Sequence, residues 1–524
     1  MGNYVMGIDV GTTGTKSMIF DFDSNIIGVG YQEYSLSTPK PNWFEADAEE
    51  LVQKTFAACR IALENSGLDP EQIAAISFSS QRATVGFVDE NDHVIENIMY
   101  SWLDIRANEE AEFEKSVMDE AEQIKRTGMP VSSTFTAAKV IWFKNHKPEL
   151  YKKTKYVVLI SAYLMKRFGS EKYYCDWGNA SATGVFNMYT LDWDKELLEM
   201  YGLDFSMFPE TIDSGKVIGS VSAEAALATG LSCITRLISG SGDQSCGAFG
   251  AAVVRKGTAE LTIGTAGHLI TYLDQPLTDD AALKMMTVVS VPPNQYELNG
   301  IQLSAAVVYR WFRDCFGGLE KEVGRLADID PYVLLDRKAM QSPPGANGLV
   351  LLPYFAGNGS PHWDAEATGV LMGLTLKHTQ GDTARAFMEG VVYEIREMKE
   401  TMERSGAVFN ELNITGGATK SPMWCQMIAD ILNLPIRRLI ISDATVLGAA
   451  MIAAVGVGRF SSFQEAAEHM VKLGERIEPI PENTAIYNKL YRIFRNMYAS
   501  LQEGNVFHDL SEVRAEIEYK YNLN

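Results

Sequence analysis

The sequence has few residues of the kinds that structural metal centres and disulfide frameworks need. Its 524 residues include only six cysteines, which are far apart and form no CxxC, and seven histidines, which form no HxxxH pair. Structural zinc and a disulfide framework are therefore not expected. The reduced thiols of a cytoplasmic protein fit this pattern better.

Positive charge is scarce as well. The chain carries 46 lysines and arginines against 67 aspartates and glutamates, which gives a formal net charge of -21. Such a chain repels nucleic acid and anionic membranes, so we expect neither as a partner. An acidic protein that binds anions must do so with locally gathered cations, with backbone N–H groups or with a metal ion.

Long apolar runs are also missing. The N-terminus shows no basic stretch followed by an apolar one, so a signal peptide is not expected. The longest uncharged apolar-rich run, residues 444–458, is too short to cross a bilayer. Its many glycines and alanines predict a buried helix that packs closely against a neighbour.

What the sequence does contain is an alternation of strand and helix patterns, over a length that requires at least two domains. Strand patterns occur at residues 5–8, 17–22, 26–31 and 73–79, and helical spacing at 49–65, 107–124, 136–146 and 382–404. This alternation predicts a mixed α/β fold.

The first two strands are joined by an unusual turn. Asp9 ends the first strand, Gly11-Thr12-Thr13-Gly14 forms the turn, and Lys16 follows. Glycines let backbone N–H groups approach phosphate oxygens, threonine hydroxyls add donors, and a carboxylate can hold hydrated Mg²⁺. The spacing is not that of a Walker P-loop. The alternative is an ordinary hairpin with a solvated aspartate.

A second turn, Gly240-Ser241-Gly242-Asp243-Gln244, lies between a strand pattern at 237–240 and a small-residue helix at 245–253. A carboxylate at the end of a strand could act as general base toward a hydroxyl, with Gln244 bonded to the same substrate. The competing interpretation is structural, because aspartate is a preferred N-cap and Asp243 precedes a helix.

Two further turns lie in the second half of the chain. Gly264-Thr265-Ala266-Gly267 joins strands at 258–263 and 268–272, in the same form as the N-terminal hairpin, which indicates a duplicated architecture. Thr415-Gly416-Gly417-Ala418 lies between a strand and a helix, where adjacent glycines would let a flat ring or a ribose approach the backbone. A tight strand-to-helix turn is the alternative.

In this order the motifs resemble the FGGY carbohydrate kinases, members of the actin-like ATPase superfamily. The resemblance runs from about Tyr4 to about Phe460 and includes GIDVGTTGTK, SWLDIR, NASATGVFNM, GSGDQ, IGTAG, LPYFAGNGSP, RAFMEGVVYEIR and GGATKSPMWCQMIADILNLPI. It implies two ribonuclease-H-like domains with an interdomain active-site cleft. The implied boundaries are 1–250 for an N-terminal domain that binds the sugar, 251–465 for a nucleotide-binding domain, and 466–524 for a helical extension.

The resemblance also implies roles for individual residues in the transfer of the ATP γ-phosphoryl group to a sugar or polyol. Asp243 resembles the general base and Asp9 the carboxylate that binds Mg²⁺. The residues implied to face the phosphates are Thr12, Thr13, Lys16, Gly264 and Thr265. Those implied to hold the adenosine are Gly416, Gly417, Ala418 and Ser421.

The acceptor pocket is expected to include Gln81, Arg82, Trp102, Asp104, Asp243 and Gln244. Xylulokinases usually carry Gln-Met-His where this chain has Gln81-Arg82-Ala83, and glycerol kinases carry Gln-Arg-Glu. Asp104 fits the ketose-type WxDxR pattern, whereas Gln244 is glycerol-kinase-like. A ketopentose such as xylulose is the favoured acceptor, and glycerol, another polyol, gluconate and an autoinducer-2-type compound are alternatives.

Two other classes of protein share parts of this pattern. An actin-like ATPase for assembly or chaperoning would keep the phosphate turns but lack a sugar-side base and pocket. A sugar-binding regulator would have lost catalytic residues, whereas Asp9, Asp243 and Thr265 are intact. A homodimer is possible by analogy with the relatives.

Overall fold

The computed structural model describes residues 2–277 and 285–521. The chain divides into two units. Unit 1 comprises Met1–Lys256, Tyr272–Leu298 and Asp443–Lys472, and unit 2 comprises Gly257–Thr271, Asn299–Ser442 and Leu473–Asn524. Each unit is built around a mixed sheet with helices packed on it.

The strands in chain order are β1 (Tyr4–Val10), β2 (Gly14–Asp21), β3 (Ile26–Glu33), β4 (Glu45–Asp47), β5 (Ile73–Ser80), β6 (Val85–Val88), β7 (Val94–Tyr100), β8 (Tyr156–Leu159), β9 (Tyr174–Asp176), β10 (Phe186–Asn187), β11 (Asp192–Trp193), β12 (Glu210–Ile212), β13 (Val217–Ser220), β14 (Arg236–Gly242), β15 (Gly257–Ile263), β16 (Gly267–Leu273), β17 (Met286–Val289), β18 (Tyr296–Gln302), β19 (Val350–Leu352), β20 (Val370–Met372), β21 (Phe409–Thr415), β22 (Ile436–Leu439) and β23 (Leu473–Ile477).

The helices are α1 (Ala48–Ser66), α2 (Asn108–Val117), α3 (Glu120–Thr127), α4 (Thr136–His146), α5 (Pro148–Tyr151), α6 (Ile160–Phe168), α7 (Trp177–Ala180), α8 (Lys195–Met200), α9 (Ala223–Thr229), α10 (Asp243–Gly250), α11 (Ala306–Phe316), α12 (Gly318–Ala327), α13 (Pro331–Ala339), α14 (Gln380–Arg404), α15 (Pro422–Leu432), α16 (Ala444–Gly456), α17 (Phe463–Met470), α18 (Pro481–Glu503) and α19 (Val506–Tyr521). The segment 466–524, expected to be helical, thus also contributes strand β23.

The main sheet of unit 1 has the strand order β3-β2-β1-β5-β14-β13. The first three strands form an antiparallel meander. Strands β5 and β14 are parallel to β1, and β13 closes the edge antiparallel to β14. Since β1, β5 and β14 are parallel neighbours, their carboxyl ends meet at one edge of the sheet.

Unit 2 repeats this arrangement. Its main sheet includes the strand order β18-β16-β15-β21-β22-β23, with β15 antiparallel to β16, β21 and β22 parallel to β15, and β23 antiparallel at the edge. The two units therefore share one strand order, which confirms the duplicated architecture predicted from the two glycine–threonine hairpins.

The glycine- and alanine-rich run forms the buried helix α16, as predicted. Close approach explains its small residues: a Cβ on Gly448 would lie 2.0 Å from the carbonyl oxygen of Cys246 on α10, and one on Gly7 of β1 would lie 2.1 Å from that of Val446. Among the residues described, no helix combines the length and apolar character that a bilayer crossing needs.

One predicted helix is interrupted. Residues 107–124 were expected to be a single helix, but Met118, with φ -138° and ψ 143°, is extended and separates α2 from α3. The long amphipathic helix α14 agrees with its spacing. Gly406, at φ +100°, follows its end in the left-handed conformation that stops a helix.

Candidate active site

The carboxyl ends of β1, β5 and β14 bring together the polar residues of unit 1. Asp9 on β1 is in register with Ser79 on β5, and Ser79 is in register with Ser241 on β14. The Ser79 hydroxyl donates a 2.7 Å hydrogen bond to Asp9 Oδ1. Asp243 follows directly after β14, so that the two aspartates predicted to be functional emerge from the same edge. This is the edge at which open α/β sheets bind ligands.

Asp9 and Asp243 are close enough to influence each other electrostatically. Burial, and to a smaller extent the charge of Asp243, raise the pKa of Asp9 to about 6, against hydrogen bonds from Ser79 and Thr445 and the charge of Lys16. Burial also raises the pKa of Asp243, against the opposing effects of the Arg82 charge and the Gln244 N–H. Both carboxylates remain partly accessible to solvent.

Asp243 does not cap a helix. Gly242 occupies the N-cap position of α10, and Asp243 is the first helical residue. Its Oδ1 accepts a 2.7 Å bond from the Gln244 N–H and lies 3.7 Å from Arg82 Nε. The structural alternative from the sequence is therefore wrong at this position, and the 28% exposed side chain remains available for chemistry.

Arg82 lies against the backbone beside this aspartate. A Cβ on Gly242 would approach Cγ and Cδ of Arg82 to 2.9 Å, so the glycine makes room for the arginine. Arg82 Nη1 is buried and has no hydrogen-bond partner among the described residues. A buried guanidinium N–H without a partner is costly, so this donor is suited to bind a polar group of a substrate.

The first glycine–threonine turn is held by its neighbours. Gln81 is buried and donates a 3.0 Å bond from Nε2 to the carbonyl of Gly11. Trp102 Nε1 donates a 2.9 Å bond to the hydroxyl of Thr12. Gln81 thus holds the turn, and Trp102, which is 37% exposed, forms a wall beside it. Thr13 is exposed.

Lys16 has a partner that the sequence did not indicate. Its ammonium forms an ion pair with Asp443, at the residue before α16, and both side chains are about one-third exposed. Asp443 therefore fixes the cation at the edge of the site.

Asp104 is not at the surface of the site. Its side chain is fully buried, and its oxygens accept bonds from Phe44 N at 2.7 Å and from the guanidinium of Arg106 at 2.7–3.0 Å. The Arg106 guanidinium in turn stacks 3.8 Å from the ring of Trp43. These bonds give Asp104 a structural role in this loop, and its expected contact with the acceptor stays a prediction.

Sequence reasoning also missed Lys139 on α4. This lysine is buried, and its Nζ donates to the carbonyl of Ala83 at 3.3 Å and to that of Thr134. Burial lowers its pKa to about 7. Ala83 has φ +58°, an unfavourable conformation for a residue with a Cβ. Lys139 thus stabilises the backbone next to Arg82, and no local pattern marked it.

The two remaining turns lie together in unit 2. Gly264 and Thr265 follow β15, and Gly416 follows its parallel neighbour β21, with Thr262 and Thr415 in register. Gly416 has φ +92°, and a Cβ there would lie 2.4 Å from the carbonyl of Ile263, so only glycine fits. The structure therefore places the two turns side by side.

The outer surfaces of these turns are open. Thr265 and Gly417 are exposed, and a Cβ on Gly417 would meet no atom within 4 Å. Ala418 is buried beneath them. Ser421 caps α15 by accepting a 3.2 Å bond from the Trp424 N–H, so its hydroxyl already has a structural role.

The site fits a magnesium ion that is bound mainly by phosphate. Among residues 2–277 and 285–521, no group of three or more His, Cys, Asp or Glu side chains is arranged to hold a metal by itself. Mg²⁺ keeps several waters and needs only one or two carboxylates together with substrate phosphates. Asp9, partly exposed and oriented by Ser79, has the chemistry of such a ligand.

A duplicated fold of this topology, with glycine–threonine turns and two strand-end aspartates, is the arrangement of a phosphotransferase of the actin-like ATPase type. The chain belongs to the FGGY family of carbohydrate kinases: residues 4–250 match the model of the family's N-terminal domain and residues 259–457 that of its C-terminal domain. It is therefore an ATP-dependent carbohydrate kinase.

Its relatives act on different acceptors. A gluconokinase from Bacillus subtilis (strain 168) is 30% identical over 505 residues, which are 96% of this chain and 97% of that protein. A xylulose kinase from Staphylococcus epidermidis is 29% identical over 500 residues, with 95% and 97% covered. The crystal structure of ligand-bound xylulose kinase from Lactobacillus acidophilus has a TM-score of 0.87 at 27% identity, with 95% and 98% covered.

Proposed function

We propose that this kinase phosphorylates a hydroxyl of a ketopentose such as xylulose, with Mg²⁺-ATP as donor. Asp243 acts as general base. Because its Oδ1 is occupied by the Gln244 N–H, Oδ2 takes the proton as the acceptor oxygen attacks the γ-phosphorus and the β–γ bridging P–O bond breaks. The observation that carries this role is the partly exposed Asp243 carboxylate at the strand end, with its pKa raised by burial.

The remaining residues bind, orient and neutralise charge, which is most of what phosphoryl transfer requires. We assign Asp9 to Mg²⁺, and Thr12, Thr13, Lys16, Gly264 and Thr265 to the phosphates. Gly416, Gly417, Ala418 and Ser421 hold the adenosine, and Gln244, Arg82 and Trp102 hold the acceptor. The ranges 1–250 and 251–465 are proposed as the acceptor-side and nucleotide-side domains, and 466–524 as an extension.

One observation favours a second acceptor, gluconate. The buried Nη1 of Arg82 has no partner among the described residues, and a carboxylate is the acceptor group that a guanidinium binds most strongly. A neutral ketopentose would place only a hydroxyl or carbonyl oxygen there. We propose a cytoplasmic location for either reaction, since ATP is supplied there and all six cysteines are free thiols.

A panel of acceptors separates these proposals. Coupled ADP release is measured with Mg²⁺-ATP and xylulose, glycerol, other polyols, gluconate or an autoinducer-2-type hydroxyketone, and without acceptor. We expect xylulose to give the highest kcat/KM and the reaction without acceptor to be slow. A highest value for gluconate, together with a raised KM for gluconate in Arg82→Gln, would establish the second candidate instead.

The base is tested with the acceptor that the panel selects. Asp243→Asn keeps the shape of the side chain and removes its basicity, so kcat is expected to fall by about 10²–10⁴-fold. Nucleotide affinity, measured by calorimetry with Mg²⁺-ADP, is expected to change little. An Asp243→Asn protein with undiminished kcat would refute the assignment, and a protein that uses ATP equally fast without any acceptor would be an ATPase of another class.

A further inference from the structure

A buried carboxyl group from another element lies against the first turn of helix α10. Glu297, on β18, is fully buried. Its Oε2 accepts a 3.0 Å hydrogen bond from the hydroxyl of Ser245, the third residue of α10, and its Oε1 accepts a 2.8 Å bond from the hydroxyl of Ser290. Both serines are buried, and all three residues belong to unit 1. Glu297 therefore links the first turn of α10 to the end of β17.

The surroundings suit a carboxylate that must be held in place. Removing such a group from water is unfavourable unless its oxygens are hydrogen-bonded, and both oxygens of Glu297 accept bonds from hydroxyls. Hydrogen bonds to an ionised acceptor are about twice as strong as those between neutral groups. The positive end of a helix dipole also attracts an anion near the first turn. These contacts bind the carboxyl group of Glu297 firmly to the start of α10.

The start of α10 depends on such outside contacts. Gly242 occupies its N-cap position, where the described chain forms no side-chain cap. The backbone before the helix packs closely on α7, since a Cβ on Gly178 would lie 2.0 Å from Ser241 Oγ and 3.1 Å from the nitrogen of Gly242. The bond between Ser245 and Glu297 then fastens the first turn itself to a second element.

Asp243 shares this first turn with Ser245. It is the first helical residue, and its Oδ1 accepts a bond from the Gln244 N–H. A shift of the turn would therefore move the other oxygen, Oδ2, relative to the acceptor hydroxyl. A misplacement of about 1 Å can reduce the rate of a reaction by about 100-fold. The orientation of this turn thus bears directly on proton transfer to Asp243.

The hydroxyl of Ser245 has a second acceptor within reach. The carbonyl oxygen of Val289 lies 3.3 Å from Ser245 Oγ, compared with 3.0 Å for Glu297 Oε2. A hydroxyl has only one hydrogen to donate, and a charged acceptor binds it more strongly than a neutral one. If the carboxyl group were removed, the hydroxyl could still bond to Val289. We therefore expect the chain to fold without Glu297, but with the first turn of α10 held less firmly.

We propose that Glu297 is a positioning residue for the general base: through the hydroxyl of Ser245, it fixes the first turn of α10 and with it the carboxylate of Asp243. This inference rests on the proposed role of Asp243. It adds a requirement that this role does not contain, namely that a fully buried glutamate on another element affects kcat.

The first test is Ser245→Ala, which removes the link while alanine keeps the helix. With the acceptor that the panel selects, we expect kcat to fall by about 10–100-fold and KM for Mg²⁺-ATP and for the acceptor to change little, as for an interaction that matters in the transition state. Ser290→Ala is the matched control, because it removes a bond to the same carboxyl group without altering α10. It should lower the midpoint of thermal unfolding as much as Ser245→Ala does, and reduce kcat far less. An undiminished kcat in Ser245→Ala, or equal losses in the two variants, would overturn the proposal.

A double variant tests whether the effect passes through Asp243. In Asp243→Asn there is no base left to position, so the addition of Ser245→Ala should lower the residual kcat by less than about twofold. A general structural defect would lower kcat by the same factor in both backgrounds, and that result would exclude the positioning role.

Two substitutions at position 297 give a rescue experiment. Glu297→Gln keeps an oxygen that can accept the bond from Ser245, whereas Glu297→Leu does not. We expect kcat to decrease in the order wild type, Glu297→Gln, Glu297→Leu, and Glu297→Leu to match Ser245→Ala. Combining Glu297→Leu with Ser245→Ala should add no further loss, because both remove one link. A Glu297→Leu protein with the kcat of wild type would contradict the proposal.

These outcomes separate the inference from the assignment of the base. If Asp243→Asn kept full kcat, Asp243 would not be the base and both proposals would be overturned. If Asp243→Asn were impaired while Ser245→Ala and Glu297→Leu were not, the base would stand and only the role of Glu297 would be wrong.

Discussion

Asp9 and Asp243 are both aspartates at the carboxyl ends of parallel strands, yet their surroundings differ. Asp9 accepts a bond from Ser79 and lies near Lys16, both of which favour its ionised form, although burial raises its pKa to about 6. Asp243 has Arg82 as its nearest cation, at 3.7 Å. Because the two carboxylates interact, their titrations are coupled, and ionisation of one opposes that of the other.

The titration of Asp9 leads to a prediction about Mg²⁺. If Asp9 holds Mg²⁺ as proposed, the ion binds the ionised carboxylate, so below pH 6 the affinity for Mg²⁺ in the presence of ADP should fall by about tenfold for each pH unit. Raising the Mg²⁺ concentration should move the acidic limb of the kcat/KM profile to lower pH. Calorimetric Mg²⁺ titrations at several pH values check this.

The variant Asp9→Asn should lose both the Mg²⁺ affinity and its pH dependence. Asp21→Asn, which alters a partly exposed carboxylate at the end of β2, serves as the control and should behave as wild type. A wild-type Mg²⁺ affinity that is constant between pH 5 and pH 7 (about one unit either side of the Asp9 value) would contradict the role of Asp9.

Lys139 gives a second prediction at this scale. Its folded-state pKa of about 7 lies below the ordinary lysine value of about 10.4. Between those values the unfolded chain binds a proton that the folded chain does not, so the stability that Lys139 confers rises with pH. Relative to Lys139→Met, wild type should gain up to about 4 kcal/mol in free energy of unfolding between pH 7 and pH 10.

Urea unfolding of both proteins across this pH range measures that difference. Lys152→Met removes an exposed lysine and should show a pH-independent difference from wild type. If the difference in free energy of unfolding between Lys139→Met and wild type were also independent of pH, Lys139 would not be held in the buried position where it bonds to carbonyl groups.

At the scale of elements, glycines allow close packing between α16, α10 and β1. Gly250 on α10 has the same constraint as Gly448 and Gly7, since a Cβ there would lie 2.0 Å from the carbonyl of Ala444. Helix α10 begins at Asp243, and α16 begins one residue after Asp443. Packing between the two helices therefore positions Asp243, the proposed base, together with Asp443, the partner of Lys16.

This packing predicts the effect of Gly448→Ala. Alanine favours a helix by about 1 kcal/mol over glycine, but its Cβ would collide with the Cys246 carbonyl, and overpacking of this kind costs about 1–3 kcal/mol. We expect a lower midpoint of thermal unfolding and a reduced kcat, because α10 must shift. Gly318→Ala, where a Cβ meets no atom within 4 Å, should show neither effect. A Gly448→Ala protein as stable and active as wild type would refute the coupling.

Helices and strands that have a local sequence pattern could be predicted, whereas contacts between residues far apart in the sequence could not. The hairpin β1–β2, helix α14 and helix α16 follow from hydrophobic period, turn residues and small-residue content. The interruption at Met118 carries no such signal. The burial of Asp104 depends on Phe44, sixty residues away, and only the folded structure shows which face of that loop turns inward.

The candidate site divides in the same way. Asp9, Asp243 and the glycine turns each had an ordinary structural alternative, and they were recognisable because their order along the chain resembles that of a known family. Gln81 was expected in the acceptor pocket, but its hydrogen bond to the Gly11 turn was not foreseen. Lys139 lies in a helical pattern in which no residue indicates a special role. Such roles depend on partners distant in sequence.

At the scale of the whole molecule, duplication explains why the motifs recur in order. Each unit presents a hairpin followed by two parallel strands, so each has an edge at which strand ends and glycine turns collect. The edge in unit 1 carries the carboxylates of Asp9 and Asp243, whereas the edge in unit 2 carries glycine turns whose backbone is exposed. In a protein with a net charge of -21, exposed backbone N–H groups such as those of the unit 2 turns are the kind of group that can bind an anion without local positive charge.

Buried carboxyl groups in both units determine how stability depends on pH. Burial raises the pKa of Glu114 to about 8, of Glu260 to about 7 and of Glu394 to about 8. The pKa of Asp382 is shifted in the opposite direction. Burial alone would raise this pKa, but hydrogen bonds from Ser342 and Thr379 lower it to about 2. A raised folded-state pKa gives stability that is present below the unfolded value and lost as pH rises through the folded one. A depressed pKa gives stability that is lost in acid.

The midpoint of thermal unfolding should therefore be highest in mildly acidic solution and should fall between about pH 5.5 and pH 7, where each buried glutamate costs up to about 1.4 kcal/mol per pH unit. Repulsion within an increasingly anionic chain also lowers the stability as pH rises.

In Glu394→Gln an amide, which does not titrate, replaces the carboxyl group. Its oxygen can still accept the hydrogen bond from Gln302, which is 2.8 Å long in the wild type. The fall of the unfolding midpoint with pH should therefore become shallower. Glu482→Gln, at an exposed position on α18, should leave the slope unchanged. Calorimetric scans at half-unit pH steps measure both slopes. A midpoint that rises steadily from pH 5.5 to pH 7 (the window set by these values) would show that these carboxyls are ionised in the folded chain.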